Sequence, residues 1–340
     1  MDEDYYKCID NLADEISKWG VGLIIGAGFS KAVISGDNPA KNWKELFEDL
    51  VVYLKRTYFN DEEKPFIDID KELSKGLTLP QIATRVCQLL AKKRKITYED
   101  SKDEIKKIIR ALVNWVPESS ETEKYKSLFE NLNIKWIVTT NYDEVLEAIL
   151  GEKGYTIDPE QPLTAPSEMI PIYHIHGDRK NYPSLIVTHE DYVPLFKPGN
   201  YRESKLFTMM SEAPVLILGY SLSDLNLLSA LEQSKQPFDD KDNFPVVLTN
   251  FVGQQDDLEY QKELFDGGSY EKIDIDSIDN FLSKLDLLIS EKKETRKKER
   301  ENKIMAYASI KKFVESVEKL SSESESCEDY ADFVFNNYSQ

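Results

Sequence analysis

Residues 136–143 read Trp136-Ile137-Val138-Thr139-Thr140-Asn141-Tyr142-Asp143. The run Trp136-Ile137-Val138 has the length and β-branched content of a buried strand. It stops at Thr139-Thr140-Asn141, and a helical pattern over 144–150 begins at once. Polar residues at the C-terminal end of a buried strand stand where open α/β sheets take their ligands. The same residues could also do no more than turn the chain from strand to helix, with Asn141 or Asp143 as N-cap. The rest of the chain decides between these readings.

The same unit recurs. Val21 to Ile25 is an apolar strand that runs into Gly26-Ala27-Gly28-Phe29-Ser30. A strand followed by G-x-G lets a dinucleotide pyrophosphate approach the backbone, because a side chain there would block it. The third glycine of the full fingerprint is replaced by Lys31, so this loop alone is weak evidence and could also be a tight turn after a core strand. Ile170 to Asp178 is a strand ending in His174-Ile175-His176-Gly177-Asp178, and its two histidines, two residues apart, are predicted to point the same way. Val215 to Leu218 ends in Gly219-Tyr220-Ser221, and Phe244 to Leu248 ends in Thr249-Asn250. Repeated strand, polar turn and helix predict an α/β fold with a doubly wound, Rossmann-like parallel sheet. In such a sheet all these polar clusters fall on one edge and converge on one crevice.

Between the first strand and Trp136 the pattern is helical: 43–59, 79–93, 102–116 and 122–132, with 31–42 as a loop and Asn42 as N-cap. These residues, about 43–132, are predicted to form a helical lobe inserted in the sheet domain. Later segments add a short strand over 184–187, a turn capped by Thr188, and helices near 201–211 and 224–235. The expected organisation is a nucleotide-binding domain over 1–290 and a charged, partly flexible helical tail over 291–340. The basic run Lys292 to Lys303 is interrupted by Glu294, Glu299 and Glu301, which suits a solvated helix face better than a nucleic-acid contact. The aromatics Tyr330, Phe333, Phe335 and Tyr338 lie in an acidic background and read either as a frayed end or as a docking segment.

Composition narrows the function classes. A net charge of −19 over 340 residues repels phosphate backbones and argues against a broad nucleic-acid surface. No apolar run approaches a membrane span, and the acidic N-terminus lacks a signal-peptide pattern, so a cytoplasmic protein without membrane association is expected. Cys8, Cys87 and Cys327 form no C-x-x-C pair, which excludes a zinc ribbon and predicts no metal site.

In their order, these motifs resemble the SIR2 (sirtuin) superfamily, and most of all the SIR2-like domains of bacterial antiphage defence NADases. Gly26-Ala27-Gly28-Phe29-Ser30 is similar to the family's G-A-G-x-S loop, and Thr139-Thr140-Asn141-Tyr142-Asp143 to T-Q-N-x-D with Thr140 in place of Gln. His176-Gly177 is similar to the family's H-G, Gly219-Tyr220-Ser221 to G-T-S, and Asn250 to an asparagine on the adenosine side. Two departures matter. The zinc cysteines of the deacetylases are missing, and Lys31 to Leu46 carries no Phe-Arg pair but looks like a stretched G-x-P-x-W-x-x-L. The resemblance therefore implies NAD as substrate, no zinc, and hydrolysis to nicotinamide and ADP-ribose. It implies Asn141 as the group that holds the attacking water and His176 as general base or ribose-hydroxyl partner, with His174 as the rival histidine. Asp143 would hold the carboxamide, with Thr140 beside it. Gly26, Ala27, Gly28, Phe29 and Ser30 would take the pyrophosphate, and Gly219, Ser221 and Asn250 the adenosine half. An NAD-depleting effector must be held silent, which implies a homo-oligomer gated by assembly, by a partner such as a HerA-type ATPase, or by a phage-derived trigger. A non-catalytic NAD- or ADP-ribose-binding regulatory module and a zinc-free deacylase are the alternatives.

Overall fold

The computed structural model describes residues 3–34, 36, 38–59, 66–193, 201–220, 225–235, 243–253, 258–265 and 268–323. Its strands are β1 (Val21–Ile25), β2 (Ile134–Thr139), β3 (Gly154–Ile157), β4 (Ile170–His174), β5 (Val215–Leu218), β6 (Val246–Phe251), β7 (Tyr260–Phe265) and β8 (Gly268–Ile275). They form one sheet in the order β3-β4-β2-β1-β5-β6-β8-β7. Every neighbouring pair is parallel except β7 and β8. The chain leaves β1 toward β2 on one side and later returns to lay β5 on the other, so the sheet order reverses at the C-terminal end of β1. Doubly wound sheets open a crevice at that point.

The strands alternate between two cores. Leu23, Ile25, Ile137, Leu216 and Leu218 face one side, and Ile24, Trp136, Val138, Val215 and Ile217 face the other. Both faces are covered, which is why the strands read as continuous apolar runs. Each such side chain contributes about 1.5–3 kcal/mol through burial.

Helices α1 (Glu3–Trp19), α2 (Ala27–Val33), α3 (Trp43–Tyr58), α4 (Ile69–Ser74), α5 (Leu79–Arg94), α6 (Tyr98–Leu112) and α7 (Ser119–Glu130) precede β2, and α3 to α7 form the helical insertion. Asn42, Thr78 and Thr97 each close a capping box with Glu45, Gln81 and Asp100. After β2 come α8 (Val145–Leu150), α9 (His189–Tyr192), α10 (Tyr201–Ser211), α11 (Leu225–Lys235) and α12 (Ile278–Glu323).

Several local expectations are corrected. Residues 31–42 are not all loop, because α2 runs on to Val33, with Phe29 and Val33 one turn apart and both buried. Residues 184–187 form no strand: Ser184 ends a 3₁₀ turn over Tyr182–Ser184, and the amides of Ser184, Leu185 and Val187 donate to Asn181 O, Tyr182 O and Asp191 Oδ2 rather than to a ladder. The third lobe helix starts at Tyr98 rather than Lys102, because the Thr97 cap sets its start. Strand β4 stops at His174, so His176 lies beyond it in a turn and the two histidines do not share a face.

The chain divides into two units, Met1–Ile289 and Ser290–Gln340. In the first, Ile278, Phe281, Leu282, Leu285 and Ile289 of α12 are buried at helical spacing. In the second, α12 is charged and exposes Ile304, Met305, Tyr307 and Ile310. Residues 324–340, with Cys327 and the aromatics Tyr330, Phe333, Phe335 and Tyr338, lie outside the described residues. Among the described residues no helix is long and apolar enough to cross a membrane.

Candidate active site

At the reversal point α2 begins directly after β1. The amide of Gly26 donates to Leu218 O (3.0 Å), that of Gly28 to Gly219 O (2.8 Å) and that of Phe29 to Gly26 O (3.0 Å). Gly219 has φ +61, and a Cβ placed on it would stand 2.1 Å from the Phe29 nitrogen. A Cβ on Gly28 would stand 2.9 Å from the Gly219 Cα. The glycines after β1 and β5 are thus needed first for the close approach of two backbones. Three of the loop's amides already have acceptors within the chain. The Phe29 ring turns away from the crevice and packs on Tyr125 (5.2 Å between centroids) and Phe129 (5.8 Å) of α7.

The turn after β2 is locked by buried side chains. Thr139 Oγ1 donates to Ile25 O (2.9 Å) and accepts from the Asn141 amide (3.0 Å). Asn141 Nδ2 donates to Gly26 O (3.1 Å) and to Ser30 Oγ (3.0 Å). Gly26 O can only accept, so it fixes which end of the Asn141 amide faces it and leaves Oδ1 as the remaining group. Ser30 Oγ donates to Asp143 Oδ2 (2.9 Å), and Asp143 Oδ1 accepts from the Val145 amide (3.1 Å) at the start of α8. Burial pushes the Asp143 carboxyl up to about 6, against the pull of these two hydrogen bonds and of His174.

The two histidines part company here. His174 is fully buried, with Nδ1 2.9 Å from Asn141 O and Nε2 2.9 Å from Glu147 Oε1. Both neighbours are acceptors, so both ring nitrogens donate and the ring is an imidazolium. Burial alone would lower its pKa; the Glu147 carboxylate outweighs burial and lifts it to about 9. His176 instead lines the crevice, with its ring 5.0 Å from that of Tyr192 and Nδ1 3.4 Å from Tyr192 Oη. They are separated by the end of β4: His174 is its last residue, while His176 sits in the turn that the Gly177 amide closes on His174 O (3.0 Å).

The crevice is a cavity of about 730 Å³, within the range of small-molecule and cofactor sites. The sheet edge gives one wall: Ala27, Gly28, Thr140, Asn141, Asp143, His176 and Gly219. The lobe gives the other, with Asn42 and Trp43 at the start of α3, Thr78 and Leu79 at the start of α5, and Trp115 after α6. Helix α9 brings His189 and Tyr192. The lobe grips α9 firmly: Glu190 accepts from Thr84 Oγ1 (2.8 Å) and Tyr98 Oη (2.9 Å), and Lys106 pairs with Asp191 (3.3 Å) while donating to Pro183 O (3.1 Å).

Of the other residues singled out from sequence, Gly26, Phe29 and Ser30 stand behind the wall without lining the cavity. Asn250 remains within β6, donates to Asp274 Oδ1 (2.7 Å) and is not among the lining residues. Ser221 lies outside the described residues. Trp43, Tyr142, Tyr192 and Trp115 line the cavity without having been marked by any motif role. Trp43 had a usable signal, since it directly follows the Asn42 cap and is the tryptophan of the stretched W-x-x-L pattern. Among the described residues no group of three or more His, Cys, Asp or Glu could hold a metal ion.

Comparison with known proteins fits this geometry. Residues 135–266, from within β2 to the residue after β7, match the SIR2-like domain family. Over that stretch the chain is similar to a SIR2-like domain. It is also similar to a protein named NAD(+) hydrolase ThsA from Acinetobacter baumannii (strain 532279), at 25% identity over 258 residues. That alignment covers 73% of this chain and 46% of ThsA, so the chain spans about half the length of the curated relative it matches. The SIR2-like match begins just before the locked turn that holds Asn141 and includes both histidines, while the lobe wall precedes it.

Proposed function

We propose that this chain is an NAD+ glycohydrolase of the SIR2 type that splits NAD into nicotinamide and ADP-ribose. The observation that carries the reading is the grouping of Asn141, Asp143 and His176 on one wall of a nucleotide-sized cavity at the sheet's reversal point. The similarity to a protein named NAD(+) hydrolase ThsA supports the same substrate.

In this reading the bond between the nicotinamide nitrogen and ribose C1′ breaks, and the electron pair leaves with nicotinamide. The ribose becomes oxocarbenium-like, water adds to C1′, and one proton is released. Asn141 has both amide hydrogens bonded to Gly26 O and Ser30 Oγ, so it holds the water through Oδ1 as acceptor. His176, in the cavity beside Tyr192, takes the proton. Asp143 is ionised at neutral pH, above its value of about 6, and accepts from the carboxamide N–H. The backbone at Ala27 and Gly28, with Thr140, faces the phosphates and ribose, and Gly219 borders the adenosine half.

We read the activity as that of an NAD-depleting effector in antiphage defence, kept silent until assembly, a partner such as a HerA-type ATPase, or a phage-derived trigger releases it. The support for this wider role is the motif resemblance and the cost to a cell of ungated NAD loss.

The test is NAD consumption by purified protein, with and without an acetyl-lysine peptide. Peptide-independent release of nicotinamide is expected. Asn141→Ala and His176→Ala should each lower turnover by roughly 10² or more with unchanged thermal unfolding. Full activity in His176→Ala would remove His176 from the mechanism. NAD binding without turnover in every assembly state would favour a regulatory binding module.

A further inference from the structure

Two residues before His176, a second histidine is held behind the site rather than in it. His174 is buried between Asn141 O and Glu147 Oε1, each at 2.9 Å, so its ring donates at both nitrogens. Thr156 Oγ1 of β3 donates to the same Glu147 oxygen (2.7 Å), which holds that carboxylate in place. The other oxygen, Glu147 Oε2, is buried without a hydrogen-bond partner among the described residues, so the His174 charge is the main compensation for that carboxylate.

From these contacts we propose that His174 is a positioning residue. Its imidazolium, clamped by Glu147, pulls on the Asn141 carbonyl and so fixes the Asn141 amide that faces the substrate. This rests on the NAD-cleaving reading of the site. The reach is short and rigid: the His174 hydrogen bond ends on the same residue whose side chain is tied to Gly26 O and Ser30 Oγ. When the ring loses one proton, the remaining N–H stays with the Glu147 carboxylate, the stronger acceptor, so Asn141 O faces a bare Nδ1 and the turn can shift. Displacements of about 1 Å at a reacting centre cost on the order of 10² in rate.

The carboxylates that face the ring favour its cationic form. Glu147 comes from α8 and Asp143 from the turn before it, while Asp178 follows the β4 turn with Asp158 beyond it. Against the rise that burial imposes on Asp143 and Asp178, the His174 charge pulls both down. Lys180 is the nearby cation on the rim; its ammonium pairs with Glu144, not with Glu147.

The experiment uses the full chain and its three histidines, His174, His176 and His189, which give a countable set of ¹⁵N ring signals. At pH 7.5 the His174 ring is expected doubly protonated, and its titration at alkaline pH should move the Asn141 resonances. In Glu147→Gln that titration should move to lower pH, and the alkaline limb of kcat should move with it, with the dissociation constant for NAD near wild type. His174→Gln should lower kcat on the order of 10² and erase the alkaline limb. If His174→Gln does not fold, Glu147→Gln and the titration of the wild-type protein still decide. A neutral His174 at pH 7.5, or Asn141 resonances that ignore its titration, would overturn the proposal. So would a folded Glu147→Gln with the wild-type pH profile. Absence of turnover in the wild type would count against NAD cleavage alone, since the ring titration and the Asn141 response are read without it.

Discussion

The two walls of the cavity are built by different physics. The sheet wall is made of backbone contacts and buried hydrogen bonds: Gly219 against Gly28 and Phe29, Thr139 on Ile25 O, and Asn141 on Gly26 O and Ser30. The lobe wall is made of capped helix starts and ion pairs: Asn42 and Thr78 at the ends of α3 and α5, and Lys106 and Glu190 at either end of the grip on α9. A wall of the first kind admits almost no substitution. A wall of the second kind can lose a contact and keep its shape, because its contacts are spread over several separate elements and those at the exposed helix starts are each worth little. In the NAD-cleaving reading proposed above, the sheet wall holds the reacting groups and the lobe wall sets what else enters.

The largest effect should come from the sheet wall. In Gly219→Ala the new Cβ meets the Phe29 nitrogen at 2.1 Å and the backbone must keep φ +61. Strain and overpacking each cost about 1–3 kcal/mol, so the urea midpoint should fall by the equivalent of about 4 kcal/mol. A loss below about 1 kcal/mol would mean the two backbones part easily and would erase the contrast between the walls.

Asp143 gives the sheet wall a pH signature. Its folded pKa of about 6 lies above its ordinary 3.8, because burial disfavours the charged form. The folded state then binds the proton more tightly than the unfolded state, so this group's contribution to stability falls as pH rises from 3.8 to about 6 and stays low above that. The size is on the order of 2–3 kcal/mol. Asp143→Asn should flatten stability across that window, measured by denaturant unfolding at several pH values, while lobe-wall variants should leave the slope in place.

Much of the sheet wall is legible in the amino-acid sequence, and little of the lobe wall is. Strand ends are local: an apolar run followed by Gly26-Ala27-Gly28 or Thr139-Thr140-Asn141 announces itself within eight residues. The separation of His174 from His176 is not legible that way, because it depends on where β4 loses its partner, at His174 beside Thr139. Ser30 and Phe29 match a binding motif, yet their side chains are taken by Asp143 and by the aromatic rings of α7, which only long-range packing reveals. Trp43, Trp115 and Tyr192 meet at the cavity from three separate segments, two helices and the connection after α6, so no window of sequence contains them together.

On the lobe wall, Lys106→Met should cost less than either change above. Lys106 loses Asp191 and Pro183 O, but Lys102 remains 3.7 Å from Asp191. The expected loss is about 2 kcal/mol, typical of charge-assisted hydrogen bonds. Helix α9 should loosen first, seen as faster amide exchange at Asp191 and Tyr192 with β1 and β2 unchanged. Slower turnover through Tyr192 and His176 would then tie the lobe to the reacting wall.

The smallest effect belongs to Asn42→Ala. Asn42 Oδ1 accepts from the Glu45 amide (2.9 Å), and Glu45 Oε2 accepts in return from the Asn42 amide (2.8 Å). Glu45 also pairs with Lys31 of α2 at 2.9 Å, so one carboxylate both caps α3 and links the lobe wall to the helix behind the sheet wall. Removing the Asn42 side chain takes away one half of the box and leaves Glu45 with its lysine. The cap alone is worth about 1 kcal/mol, and the neighbouring pair is exposed and adds little. A drop of about 1 kcal/mol with an unaltered dissociation constant for NAD would keep the walls independent. A larger drop, with weaker NAD binding, would mean that the two walls are held as one through Glu45, and that the start of α3 belongs with the sheet wall and not with the lobe.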